Sequence, residues 1–432
     1  MRGFVRLVVI GSLAFILTEM AAAINAVNAS PGAAAVVALA LPGAGLFLAS
    51  LFLRQVGDHE KNRRAFLELL VLLAIMYLPD FLALGWLNHA PSDLSQYGPK
   101  QFVVILVVLF AFELALFLEE SDIVLTLRVA LVIYTISIVL DFFTGGLIFQ
   151  NRGGRAAGFL ANANDGADTV AALMLVSLPW RERNAIGYVL IIIGFIGCGL
   201  TLSRGGLALW GLVSIAYIGL TLMGGRASAK ITAMVTAGVA GVGVTVFIRS
   251  PELLIPLLGL STGTTNRLAS IASFAQGDLS SANNDGRGTM VAEWFDVVQR
   301  EPFLGGGTNY SWEQIGPTWG YQHYGPHNTY LARMADCGLI GIMSLVGFIF
   351  LWCVYFWTRR LVEGVIFTLA FAYTCMLSHN VVGMRSMISV FAVLAVVALR
   401  REQASLGERR HDMARTIGAK NPRSGLTIDR NH

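Results

Sequence analysis

Two apolar runs follow one another in residues 101–144, QFVVILVVLFAFELALFLEESDIVLTLRVALVIYTISIVLDFFT. Each is close to the roughly 20 residues that a helix needs to cross the hydrocarbon core of a bilayer. Only a short polar segment, residues 120–122, separates them. Because backbone N–H and C=O groups in lipid must be satisfied within the segment itself, each run is predicted to be a transmembrane helix.

The composition extends this interpretation to the whole chain. Of its 432 residues, 55% are hydrophobic and 13% are charged, and the mean hydropathy is +0.64. Soluble domains carry about 25% charged residues, so this chain has too little polar surface for that class. The alternating pattern of a membrane β-barrel is absent. The fold class predicted is therefore all-α and polytopic.

Counting the apolar runs gives about twelve predicted spans, on the length criterion for a membrane helix. Their limits are 5–23, 32–53, 65–86, 101–119, 123–144, 167–180, 185–202, 205–223, 231–248, 338–358, 362–379 and 386–400. Residues 1–248 thus hold spans one to nine, and residues 337–400 hold spans ten to twelve. The sixth span is short, and the eighth follows the seventh with almost no loop.

The distribution of Lys and Arg predicts the orientation, because cytoplasmic loops are enriched in these residues. With the N-terminus inside, the predicted inner loops hold Arg54, Lys61, Arg63, Arg64, Arg181, Arg183, Arg226, Lys230, Arg359 and Arg360. Both termini are therefore expected in the cytoplasm, with the spans in the inner membrane. The polar, basic tail 401–432 is predicted to be disordered or to lie on the anionic inner leaflet.

A long polar loop, residues 249–336, separates the ninth and tenth spans and is predicted to lie on the outer, periplasmic side. Transporters usually place their sites near the bilayer midplane, whereas here the polar material lies at one face. Within the loop, residues 284–300 have the spacing of an amphipathic helix. Its predicted apolar face comprises Met290, Val291, Trp294, Phe295 and Val298.

Three features of this loop are candidates for binding an anion. Arg287 lies in the first turn of the predicted helix, where the dipole disfavours a cation, so it is either held for an anion or is a solvated surface residue. Gly305 and Gly306 allow either a phosphate cradle or a simple loop. His327 precedes a short predicted helix, where it could contact an anion, act as a base or be structural.

Two further polar segments are predicted on the same face. One is Ser203-Arg204 with the two glycines that follow; the other joins Arg152 and Arg155 to Asn162 and Asn164. The planar guanidinium suits paired diphosphate oxygens. However, the chain has 27 Arg and 4 Lys, so Arg alone does not argue for phosphate. The four cysteines show neither metal-ligand spacing nor a disulfide framework.

Taken together and in order, four segments resemble the O-antigen ligase and polymerase family of bacterial membrane proteins. They are Arg155-Ala-Ala-Gly158 through Asn164, Leu200 to Gly206, Arg287 to Trp294 with Pro302 to Gly305, and His327 to Leu331 with Gly338 to Gly341. The resemblance covers roughly residues 145–400. One departure is Ala163, where many relatives have proline.

The resemblance implies a glycosyltransferase that uses a glycan on undecaprenyl diphosphate at the periplasmic face, without a metal or nucleotide cofactor. The acceptor is a lipid A-core sugar in ligases and another lipid-linked repeat unit in polymerases. A lipid-linked glycan transporter is the alternative from another class; it predicts a charged midplane path and an internal repeat, and neither is evident. No nucleic-acid partner is expected.

The resemblance also assigns roles to residues of this sequence. The catalytic residues would be Arg204, Arg287 and His327, although His323 lies near the last of these. Arg287 and Arg204 would neutralise the diphosphate, and His327 would deprotonate the acceptor hydroxyl or bind the diphosphate. The residues implied in binding diphosphate or glycan are Arg155 or Arg152, Asn162, Asn164, Asn328, Gly305 and Gly306. Glu293 and Asp296 are rival bases whose spacing is more typical of a solvated face.

Overall fold

Helix is the regular structure of the computed structural model, and no strand occurs among the residues that it describes. These are residues 1–23, 31–86, 94–145, 149, 155–160, 162–224, 230–235, 238, 294–295, 298–307, 310–313, 327–378 and 381–420. The all-α prediction is confirmed for this part of the chain. Most of the predicted ninth span and most of the outer loop lie outside it.

The long helices follow the apolar runs of the sequence. They are α1 (Arg2–Leu17), α2 (Pro31–Phe52), α3 (His59–Trp86), α4 (Leu94–Leu116), α5 (Glu120–Phe143), α6 (Ala163–Ser177), α7 (Ala185–Thr201), α8 (Arg204–Gly224), α9 (Thr329–Thr358), α10 (Val362–Leu377) and α11 (Arg385–Lys420). One-turn helices span Tyr310–Glu313 and, in 3₁₀ form, Val381–Gly383.

Several of these helices meet the requirements for crossing a bilayer. Five described stretches are long and apolar enough: Ala35–Phe52, His59–Leu82, Glu120–Phe143, Arg204–Gly224 and Thr329–Thr358. Three shorter apolar helices accompany them, at Gln101–Leu116, Ala185–Thr201 and Val362–Leu377. The chain is therefore a multi-pass membrane protein, and the count of twelve spans remains a prediction.

Helix α6 lies at the centre of the bundle, and nearly all of its residues are buried. It packs against α5, α7, α8 and α10. Glycines let its neighbours approach closely: a Cβ at Gly206 would lie 2.3 Å from Ala167 Cβ, and one at Gly194 would lie 2.5 Å from Met174 Sδ. Small residues at membrane helix interfaces commonly have this effect. The central position explains why a short helix suffices here, since it is shielded from lipid by other helices.

Helix α11 extends well beyond the predicted twelfth span. Its first half is buried, and Phe391 contacts the rings of Phe356 and Phe371. The helix then continues to Lys420, twenty residues past the predicted end of the span at residue 400. Ion pairs with other helices accompany the start of this extension, and Arg401 pairs with Glu120 at 2.7 Å. Residues 421–432 lie outside the described part.

Ion pairs cluster where α1 begins and α11 leaves the bundle. Arg6 Nε donates to Asp122 Oδ2 at 2.7 Å, and Arg359 Nη2 lies 2.9 Å from Glu68 Oε2. Arg400 donates to the backbone oxygens of Val56 and Leu116. These contacts bring together the helix ends that the sequence predicted on the inner side.

The other end of the bundle contains a break in helix α9. Gly338 has φ 63° and ψ −152°, which lie outside the helical region. Gly306 N donates to Ala335 O at 2.8 Å, and Leu339 N donates to Pro302 O at 2.9 Å. The backbone of residues 302–307 thus satisfies polar groups that the break leaves without helical partners.

We expect Gly338→Ala to destabilise the protein, because its φ is positive and the new Cβ would lie 2.3 Å from Phe303 C. Backbone strain of this kind costs about 1–3 kcal/mol. Thermal unfolding in detergent would measure the effect. Gly347→Ala is the matched control, since a Cβ there meets no atom within 4 Å. Equal melting temperatures for the two variants would contradict this account of the break.

Candidate functional site

The two arginine-bearing segments predicted from the sequence meet at the start of α6. Asn162 caps this helix by accepting a hydrogen bond from Asn164 N at 2.9 Å. The Asn164 side chain then joins both segments, since its Oδ1 accepts from Arg155 Nη2 at 3.0 Å and from Ser203 Oγ at 3.1 Å. We call this arrangement the Asn164 node. Asn162 and Asn164 therefore organise the site through protein contacts.

Two side chains of α5 hold the segment that carries Arg155. Asp141 Oδ2 accepts hydrogen bonds from Ala157 N at 2.7 Å and Gly158 N at 3.1 Å, and Tyr134 OH donates to Ala157 O at 3.1 Å. Arg155 Nε donates to Thr201 O at 3.0 Å. The guanidinium of Arg155 is therefore fixed by its own hydrogen bonds, and the buried carboxylate of Asp141 fixes the backbone that follows it.

Arg204 is the first residue of α8. Ser203 precedes it, and Ser203 Oγ accepts a hydrogen bond from Gly206 N at 3.3 Å. The hydroxyl thus links the start of α8 to the Asn164 node. The Arg204 side chain is half-buried, like that of Arg155. Both arginines therefore lie near the beginning of a helix, where unpaired N–H groups favour anions.

The histidine segment forms the start of α9. Asn328 is its N-cap, because the side-chain oxygen accepts from Leu331 N at 3.1 Å. His327 directly precedes the cap, is half-buried and has φ +45°. Positive φ is uncommon for residues other than glycine, so the local fold constrains this backbone. The predicted helix start is observed, and Asn328 has a structural use that the sequence did not assign.

The glycine segment does not have the form of a phosphate cradle. Gly305 N donates to Glu301 O, Gly306 N to Ala335 O and Gly307 N to Asp336 O, at 2.8–3.0 Å. A Cβ at Gly305 would lie 2.5 Å from the Asp336 carbonyl carbon. The amides of Gly305 and Gly306 are thus occupied, and the close approach is to protein backbone. A role of Gly305 and Gly306 in binding substrate therefore stays a prediction.

The predicted amphipathic helix of the outer loop is described only near its end. Trp294 and Val298 are buried against Ala335, with Leu331 and Met334 packed beside them. Phe295 is 51% exposed, so its assignment to the apolar face is wrong, because the buried stripe follows the i, i+4 spacing of Trp294 and Val298. Five predicted positions lie outside the described residues: Arg152, Arg287, His323, Glu293 and Asp296.

A buried polar network surrounds this end of the bundle, and most of it was not predicted. Ser378 Oγ donates to Asp168 Oδ2 at 2.8 Å, and Ser386 Oγ donates to Glu19 Oε1 at 2.9 Å. Arg333 pairs with Asp80 and donates to Met76 O at 2.7 Å. The sequence signal that could have indicated this network is the presence of charged residues within or beside apolar runs.

Within the described residues, no group of three or more His, Cys, Asp or Glu side chains could hold a metal ion. The four cysteines are unbridged thiols, and Cys198, Cys337 and Cys375 are buried. The polar chemistry of this end is therefore built from arginine, asparagine, serine, threonine and carboxylate side chains, together with His327.

The fold and this site define a multi-pass helical membrane protein whose polar motifs gather where α6, α8 and α9 begin. Residues 189–346 match the family model described as O-antigen ligase. The resemblance inferred from the sequence is confirmed. The match includes Arg204 and His327, and the Asn164 node joins Arg155 to it. No curated protein matches the chain.

Asn328 offers a test that separates capping from substrate binding. Asn328→Ala should lose about 1 kcal/mol of stability, whereas Asn328→Asp should keep the cap, because Asn and Asp are equally good at this position. We expect thermal stability and transferase activity of the Asp variant to match wild type. An Asp variant that is stable but inactive would instead indicate that an anionic substrate contacts this side chain.

Proposed function

We propose that the protein is an O-antigen ligase-like glycosyltransferase. It transfers a glycan from undecaprenyl diphosphate to a sugar hydroxyl of lipid A-core at the periplasmic face of the inner membrane. The observation that supports this most is the Asn164 node, which brings Arg155 beside the Ser203-Arg204 segment of the matched domain. In this proposal, Arg155 and Arg204 lie where a lipid-linked diphosphate reaches the membrane surface.

The reaction breaks the bond between the glycan and the diphosphate and forms a glycosidic bond to the acceptor oxygen. The diphosphate gains negative charge, and the acceptor hydroxyl loses its proton. Arg155, Arg204 and Arg287 neutralise the diphosphate, while Arg152 is the rival of Arg155. His327 accepts the proton or binds the diphosphate. A single displacement of this kind inverts the anomeric carbon and needs no metal.

The fixed position of Arg155 supports this assignment. Its guanidinium donates to Thr201 O and Asn164 Oδ1, which holds it before a substrate arrives. Charged donors that are already in place stabilise a transition state most, because they need no reorganisation during the reaction. Arginine also provides paired N–H donors that match the oxygens of a phosphate group.

We further propose that the Asn164 node faces the periplasm and that both termini lie in the cytoplasm. Arg6, Arg359, Arg400 and Arg401 all lie at the opposite end of the bundle, which fits the enrichment of cations on the cytoplasmic side. Alkaline phosphatase inserted after Gly263 should be active, and the same enzyme fused after His432 should be inactive. The reverse result would overturn the orientation.

The functional test is complementation of a bacterial strain that lacks its own O-antigen ligase. Wild type should restore the lipopolysaccharide ladder, whereas Arg204→Ala and His327→Ala should leave lipid A-core. Losing one preorganised donor typically lowers a rate about a hundredfold to a thousandfold. Arg300→Ala is the matched control, since this exposed arginine belongs to the same outer region.

The outcomes separate the competing functions when every variant is present in the membrane at equal levels. A ladder restored by His327→Ala would remove that residue from the mechanism. Failure of wild type would overturn ligation to lipid A-core. Elongation of lipid-linked repeat units would then be assayed, and a positive result would establish the polymerase activity of the same family.

A further inference from the structure

A chain of buried hydrogen bonds connects α6, the end of α10 and the start of α9. Asp168 Oδ2 accepts from Ser378 Oγ at 2.8 Å, and Ser378 O accepts from Thr329 Oγ1. Thr329 Oγ1 in turn accepts from Val381 N at 3.4 Å. Asp168 and Ser378 are 3% exposed, and Thr329 is fully buried. We call these three side chains the Asp168 bridge.

The Asp168 bridge connects the two halves of the candidate site, the half that holds the arginines and the half that holds His327. Asp168 lies four residues after Asn164, so the two occupy neighbouring positions on one face of α6. Asn164 holds Arg155 and Ser203. At the other end, Thr329 begins α9 and follows His327 by two residues. The arginine side and the histidine side are therefore joined through buried polar atoms.

The hydroxyl groups of the bridge behave differently from others in the same region. Thr368 and Thr374 of α10 donate to carbonyl oxygens one turn earlier in their own helix, at 2.8 Å and 3.0 Å. Ser378 and Thr329 instead bond between elements that are distant in the sequence. A buried carboxylate within a membrane bundle is costly and by default indicates a functional role. For Asp168, that role is to fix the position of the elements that it connects.

We propose that Asp168, acting through Ser378 and Thr329, is a positioning residue that sets the location of His327 relative to Arg155 and Arg204. This inference rests on the proposed function. In that reaction the anomeric carbon lies between a diphosphate held by the arginines and a hydroxyl that His327 activates. The distance between the arginines and His327 must therefore suit a bound glycan donor and a bound acceptor at the same time. The bridge fixes that distance.

The experiment compares variants that keep the hydroxyl group at position 329 with a variant that lacks it. Thr329→Val keeps the shape and removes the hydrogen bonds, whereas Thr329→Ser retains the hydroxyl. Purified variants would be assayed with a lipid-linked glycan donor and lipid A-core. We expect Thr329→Val to lower kcat about tenfold to a hundredfold, the effect of a displacement near 1 Å, with the donor KM little changed. Thr329→Ser should recover most of the rate.

Thr374→Val is the matched control, because it removes a buried hydroxyl that bonds only within α10. It should leave kcat and KM at wild-type values. Ser378→Ala provides a second variant, which breaks the bond to Asp168 and should reproduce the loss of kcat. It decides the question if Thr329→Val does not accumulate in the membrane.

Three results would overturn the inference. Normal kcat in Thr329→Val or in Ser378→Ala would show that the bridge does not position the reacting groups. An equal loss in Thr374→Val would show that any buried hydroxyl of this region has the same effect. Inactive wild-type protein would overturn the proposed function and this inference with it, whereas active wild type with unaffected variants overturns the inference alone.

Discussion

Every backbone N–H and C=O group within a bilayer needs a partner in the protein, and this constraint organises the structure. Unbroken helices satisfy it along most of the chain. Where α9 breaks at Gly338, residues 302–307 supply the missing partners through their own backbone. A polar loop is thereby held against a membrane helix. The start of α9, with His327 and Asn328, lies about three turns from this break, so the same requirement fixes the candidate site.

Charge divides the bundle into two chemically different ends. One end holds exposed or half-buried ion pairs such as Arg6 with Asp122 and Arg359 with Glu68. The other holds Asp141, Asp168 and Glu19 in buried positions, each bonded to backbone or side-chain donors. Pairs of the first kind contribute little to stability individually. Buried carboxylates are costly unless bonded. Here Asp141 holds the segment that carries Arg155, Asp168 contacts Ser378 beside the start of α9, and Glu19 holds the start of α11.

Local patterns predicted the helices well and the contacts between them poorly. Apolar runs located the membrane helices, because this signal depends only on neighbouring residues. The Asn164 node depends on residues 155, 164 and 203 meeting in space, which no spacing reveals. The backbone docking of Gly305 and Gly306 could not be predicted from the sequence, because binding of phosphate and docking of backbone require the same small residue. The helix at 401–420 was missed because its stabilising partners, Glu120 and Glu363, lie on distant helices.

The docking of residues 302–307 on α9 has a consequence for how such proteins can vary and be engineered. The contact uses main-chain atoms, while the side chains of Phe303 and Leu304 are 70% and 44% exposed. Their identity can therefore drift without loosening the joint, provided that the glycines opposite remain. Because the loop side chains Trp294 and Val298 also pack on Leu331, Met334 and Ala335, a chimaera that exchanges the outer loop between relatives would need to carry the first turns of α9 with it. The boundary of a transplantable unit thus falls inside a membrane helix, beyond Gly338, and not at the lipid surface.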